Sequence, residues 1–202
     1  AWGESAIAST SGIRGVDRGA SCSVSTQPLA RLDGETQVGA AHDGGRDPEA
    51  LDLDRVAGEA VERATRLLGA TKPPSGRLTI VLEPRLALTL LGIVSGMLAG
   101  DVVLKGRSPF GDRLGEQIAS PLLGLVDDPT RAESLGSEEI DGEGLACRPN
   151  DLIVDGVLQG FLRDSYTGRR TGLGSTASAV RGTRSLPGVG AQVLVMRPGE
   201  RP

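Results

Sequence analysis

The chain has 202 residues, with 26 Asp and Glu against 22 Lys and Arg, a formal charge of -4 and 38% hydrophobic residues. That is long enough for one or two domains with a real core, and its charge balance gives no reason to expect nucleic acid or an anionic membrane as a partner. Aromatic residues are only 2%, which leaves almost nothing on which bases could stack, and 30 Gly with 12 Pro imply many turns.

The first four residues, Ala1-Trp2-Gly3-Glu4, have neither the basic nor the apolar region of a signal peptide, and they do not start with methionine. The chain reads as a fragment, missing part of a first domain and the end of a second. Glu4 to Gln37 predicts short strands, with Ser11-Gly12 and Asp33-Gly34 as turns. Gly39 to Asp47 (GAAHDGGRD) reads as a loop. Leu53, Val56, Ala57, Ala60, Val61, Ala64, Leu67 and Leu68 recur at helical spacing, with charges on the other side. Asp52 is the expected N-cap, and Asp47-Pro48 an earlier start. Lys72-Pro73-Pro74-Ser75-Gly76 cannot continue a helix. A domain boundary is placed there, giving an end of an α/β domain at residues 1–71 and a β-rich domain at 76–202.

Arg77 to Leu82 reads as a strand. Leu86 to Gly100 carries no charge, and its apolar residues cover most faces of a helix, which predicts burial all round. At fifteen residues the run falls short of the roughly 20 needed to cross a bilayer. Gly92, Ser95 and Gly96 form a nearly bare strip where another backbone could pack. Val102 to Leu104 and Leu122 to Val126 read as strands, with Lys105 to Gln117 a polar exposed loop between them. Leu152 to Val154, Asp155-Gly156 and Val157-Leu158 predict a hairpin, continued by Phe161 and Leu162. Tyr166 to Gly182 reads as a mobile loop, and Ala191 to Met196 as a last strand. The expected fold is α+β, a mostly antiparallel sheet packed on a buried helix.

Most candidate sites have plain readings. The lone histidine, His42, sits beside Asp43 in a Gly-rich segment, and no G-x-S-x-G elbow exists to complete a triad. Gly172 to Ala177 matches G-x-G-x-x-A but follows no strand, so a phosphate cradle is not expected. Asp127-Asp128 and the Asp141/Glu143 pair could serve as acid and base, yet Asp before Pro or Gly belongs to turn chemistry. Glu116 is three residues from Arg113, the spacing of an ion pair on a short helix. Cys22 and Cys147 lie far apart without CxxC spacing, which fits a reducing compartment better than a disulfide scaffold.

The run DVVLKGRSPFGDRLGEQIASPLLGLVDDPT, then DGEG at Asp141–Gly144 and LIVDGVLQGFLRDSYTGRR at Leu152–Arg170, resembles the TldD/PmbA family, cytoplasmic metallopeptidase subunits also called modulators of DNA gyrase. The ordered blocks span about Pro48 to Pro202. The resemblance implies that catalytic members carry HExxxH on the uncharged helix. Here Leu91, Gly92 and Gly96 occupy those positions, and none can ligate zinc or move a proton. This departure aligns the chain with the PmbA, or TldE, branch. It implies a non-catalytic subunit with no cofactor of its own, paired in the cytoplasm with a TldD-like subunit that holds zinc and acts on unfolded peptides. Lys105, Arg107, Glu116 and Gln117 are the residues expected to line a cleft or interface. Two other classes stay open: an autonomous hydrolase using the carboxylates between Asp127 and Glu143, and a regulatory binding protein of the gyrase-modulator type.

Overall fold

The computed structural model describes residues 1–10, 12–182 and 184–198. They divide into two compact units, one of Ala1–Glu4 with Arg18–Val81, the other of Ser5–Asp17 with the chain from Leu82 onward. Strands β1 (Trp2–Ala8) and β2 (Arg14–Ala20) pair as a hairpin whose base belongs to the first unit and whose tip belongs to the second. Gly12 takes the left-handed conformation of its turn; Ser11 lies outside the described residues.

The first unit is built from two antiparallel pairs and a helix. β3 (Cys22–Thr26) pairs with β6 (Ala41–Gly45), and β4 (Leu29–Leu32) with β5 (Glu35–Val38). Asp33 and Gly34, at φ 49° and 86°, make the tight turn between β4 and β5 that positive φ at both centres allows. Helix α1 (Leu53–Thr65) starts at Asp52, whose carboxylate accepts the Arg55 N–H at 2.9 Å. Its buried seam is narrower than its hydropathy: Val56, Ala60 and Ala64 are covered, while Leu53 and Val61 are exposed. The expected loop at Gly39–Asp47 is in fact β6. Ala, His, Asp and Gly have little strand preference, so this strand is specified by pairing with β3 and by α1 over it.

In the second unit, helices α2 (Pro84–Met97), α3 (Gly100–Leu104) and α4 (Ser165–Thr171) accompany strands β7 (Leu125–Asp127), β8 (Asn150–Val154), β9 (Val157–Leu158), β10 (Ala179–Val180), β11 (Gly188–Val189) and β12 (Leu194–Met196). The four-stranded sheet runs β12-β7-β8-β9, antiparallel throughout, and β10 pairs with β11. Asp155 and Gly156 turn β8 into β9 as expected. Leu98, Leu125, Leu152, Ile153, Leu158 and Leu162 form the core.

The fold is thus mixed α and β with small antiparallel sheets, and several local expectations are corrected. Arg77 to Leu82 forms no strand among the described residues, with Ile80 and Val81 largely in solvent. Val102 to Leu104 belongs to α3. The strand expected from Leu122 begins at Leu125, because Leu122 is spent on a turn closed by Ser120. Leu162 does not extend β9 but bridges in parallel to Ala99. Tyr166 to Gly182 is no loose loop: Asp164 and Thr167 form a capping box that starts α4, and Thr176 to Ala179 is buried. α2 is not buried all round; Leu86, Leu88, Leu90 and Ile93 are 48%, 56%, 50% and 53% exposed. Uniform hydropathy says that a helix avoids water, but not which surface covers it. No helix among the described residues is long and apolar enough to cross a membrane.

Gly39 shows how closely β-segment and helix approach in the first unit. A Cβ there would stand 1.9 Å from the Ala60 carbonyl oxygen. Gly39→Ala should therefore destabilise this unit by about 1–3 kcal/mol in denaturant titration. Gly58→Ala, on the open side of α1 with nothing within 4 Å, should stabilise it by about 0.5–1 kcal/mol. Equal effects of the two changes would contradict this packing.

Candidate functional site

Pro84 opens α2, where its missing N–H removes a donor that has no helical partner. Leu91 and Val94 pack against the core and Ser95 is buried. Gly92 and Gly96, four residues apart and hence on one face, are exposed, and a Cβ at either would meet nothing within 4 Å. The expected close backbone contact at this bare strip is therefore absent among the described residues. Leu91, Gly92 and Gly96 offer no side-chain nitrogen, sulfur or oxygen, so this face does not fit a zinc ion. His42 is exposed on β6 opposite Ser25. Among the described residues, no group of three or more His, Cys, Asp or Glu is gathered as a metal site requires.

The end of α2 is tightly fixed. The Gly100 N–H donates to the Leu162 carbonyl at 2.8 Å, and the Leu162 N–H to the Leu98 carbonyl at 3.0 Å. A Cβ at Gly100 would lie 2.7 Å from the Leu162 oxygen, so only glycine fits. From this anchor α3 leads to the polar segment. Lys105 pairs with Asp101 at 2.7 Å, and Arg107 is exposed, with its backbone N–H on the Val102 carbonyl. Further on, Gly115 donates to the Leu158 carbonyl and Leu158 to the Glu116 carbonyl, which adds this stretch to the flank of β9. Glu116 pairs with Arg113 at 2.9 Å, within a turn rather than the short helix expected, and Arg113 also donates to the Gln117 carbonyl. The four sequence-selected residues thus form two exposed pairs, Lys105 and Arg107 after α3, Glu116 and Gln117 beside β9. Ion pairs as open as these contribute about 0.2–1 kcal/mol.

The carboxylates between Asp127 and Glu143 serve the backbone. Asp141 is 3% exposed; one oxygen accepts the N–H groups of Glu143 and Leu145 at 2.9 Å, the other that of Ala179 at 3.2 Å. Glu143 accepts the Ser165 N–H in the first turn of α4 at 2.7 Å. Asp128 accepts the Thr130 hydroxyl at 2.6 Å. Asp127, fully buried, accepts the Gln192 and Val193 N–H groups on Oδ1, both at 2.8 Å, while Oδ2 has no partner among the described residues. Burial raises its carboxyl above the ordinary value, against the pull of those two N–H groups. Both cysteines are free thiols, and burial pushes Cys147 up to about 11, too high for a nucleophile at neutral pH. Gly172 closes α4 at φ 72°, so the G-x-G-x-x-A run ends a helix instead of opening one. Sequence reasoning missed the Asp164/Thr167 cap; the spacing D-x-x-T followed by Gly172 was its signal.

Two family models match the chain: the PmbA/TldA metallopeptidase central domain at residues 1–68 and the PmbA/TldA metallopeptidase C-terminal domain at residues 75–202. A Haemophilus influenzae protein named metalloprotease TldD homolog is 34% identical over 185 residues, covering 87% of this chain and 38% of that protein. TldE from Thermococcus kodakarensis superposes with a TM-score of 0.84 at 25% identity, over 99% of this chain and 46% of that one. A Thermotoga maritima protein described as a candidate modulator of a DNA gyrase gives 0.84 at 27% identity, over 98% and 45%. The chain spans a little over a third of the length of the curated relatives it matches first.

The raised carboxyl of Asp127 predicts a pH signature. Its contribution to stability is fully present below the ordinary unfolded value of about 3.9, and is lost as pH rises through the higher folded value. Asp127→Asn removes that loss. The melting temperature of the variant should therefore gain on wild type from acid towards neutral pH; a constant or shrinking difference would contradict the assignment.

Proposed function

The chain belongs to the PmbA/TldA metallopeptidase family, and on that premise we propose that it is part of a non-catalytic subunit that works with a zinc-carrying, TldD-like paralogue on unfolded peptides. One observation carries the reading: Leu91, Gly92 and Gly96 stand on α2 where the resemblance puts HExxxH, and none can bind a metal or take a proton. The paralogue supplies the metal and the general base. This chain contributes surface: the open face of α2, the exposed pairs Lys105/Arg107 and Glu116/Gln117, and edge strands such as β12, whose backbone groups can pair with an extended peptide at little side-chain selectivity. Two free thiols and no disulfide agree with work in the cytoplasm.

The autonomous-hydrolase reading gains no support, since both oxygens of Asp141 and one of Glu143 already accept backbone N–H groups. A gyrase-binding role has the names of two structural neighbours behind it and no feature of the site.

Elemental analysis of the purified chain should give zinc far below one ion per molecule, with no hydrolysis of unfolded peptides. Asp141→Ala and Glu143→Ala should not create or remove any activity. Stoichiometric zinc that survives dialysis, or hydrolysis that falls in those variants, would overturn the reading.

A further inference from the structure

Beside the base of the β8–β9 hairpin, the loop after α4 holds two guanidinium groups on successive carbonyls. Arg163 donates through Nε to the Gly174 carbonyl at 2.8 Å and through Nη1 to the Phe161 carbonyl at 3.0 Å, and Arg148 donates to the Ser175 carbonyl. Among the described residues neither pairs with a carboxylate; nearby Asp151 is taken by Arg197. Burial lowers the proton affinity of Arg163, and the like charge of Arg148 lowers it further. Next to Arg163 is a cleft of about 380 Å³, lined on its polar side by Arg163, Asn150, Gln159 and the Arg197-paired Asp151 and on the apolar side by Phe161 and Leu173, with Arg148 just outside the lining.

We propose that this cleft binds an organic carboxylate carried next to an apolar side chain, as the C-terminus of a peptide presents it. The two backbone bonds of Arg163 fix its plane and leave its remaining N–H donors for a ligand, in the fork geometry that matches a carboxylate. An anion here also relieves the repulsion between Arg163 and Arg148. The apolar wall favours a carboxylate with a hydrocarbon neighbour over a bare inorganic anion, as small-ligand sites combine a few polar groups with an apolar lining. The inference does not depend on the zinc-carrying partner.

Titration calorimetry of the full chain tests it with three probes: acetyl-Ala-Leu with a free C-terminus, the same dipeptide as its C-terminal amide, and acetyl-Asp-Leu-amide. The free acid should bind saturably, at least about tenfold more tightly than the amide, the size of one charge-assisted hydrogen bond. Added salt should weaken it. Arg163→Gln should abolish binding. Should that variant fail to fold, Arg148→Gln, at an exposed position, should still weaken binding several-fold, while Arg170→Gln should not. Strong binding of the aspartyl amide would support the carboxylate site and assign it to acidic side chains. Equal binding of acid and amide, or no saturable binding of any probe, would overturn the proposal.

Discussion

The second unit depends on one short splice of backbone. At the end of α2, Leu162 accepts the Gly100 N–H and donates its own N–H to the Leu98 carbonyl, with Leu98 and Leu162 both buried in the core. These bonds lie where water cannot replace them, so they fix where the helix ends and where the chain leaves the β8–β9 hairpin. Everything nearby takes its place from this anchor. α3 starts at Gly100, because no side chain fits against the Leu162 carbonyl. Arg163 and Asp164 follow Leu162 directly, and Asp164 caps α4. One buried contact thus sets both the end of α2 and the loop that holds the arginine pair.

The chemistry distributes itself accordingly. Polar side chains that look catalytic in a list, Asp127, Asp141, Glu143 and Asp164, are spent on backbone N–H groups at turns and helix starts. A small unit with many glycines needs such acceptors, since its irregular segments leave N–H groups that no ladder satisfies. The α2 positions where family resemblance puts a metal site carry Leu91, which packs against the core, and two exposed glycines.

How much of this was legible in the sequence depended on how local the cause was. α1 could be read from its period and from Asp52, and the Asp33-Gly34 and Asp155-Gly156 turns from two residues each. β6 could not, because Ala41–Gly45 is a strand only through its partner β3. α4 was hidden by its glycines and arginines, although Asp164, Thr167 and Gly172 mark both its ends. Arg77 to Leu82 has the composition of a strand but meets no partner among the described residues. The uniform hydropathy of α2 suggests burial all round, yet Leu86, Leu88, Leu90 and Ile93 are exposed, because hydropathy alone does not specify the covering surface. Of the site, the reading that Leu91, Gly92 and Gly96 stand where the resemblance puts HExxxH rests on three residues of the sequence. The pairing of Arg148 with Arg163 was not legible there, since it arises from two adjacent carbonyls on a loop far along the chain.

The most direct test of the account is whether the full-length protein that contains this chain associates with a TldD-like paralogue from the same source. Both should be purified separately, shown to be folded, mixed, and weighed by native mass spectrometry. The account predicts a stable hetero-oligomer in which zinc belongs to the paralogue. Two folded proteins that remain apart at micromolar concentration would contradict it.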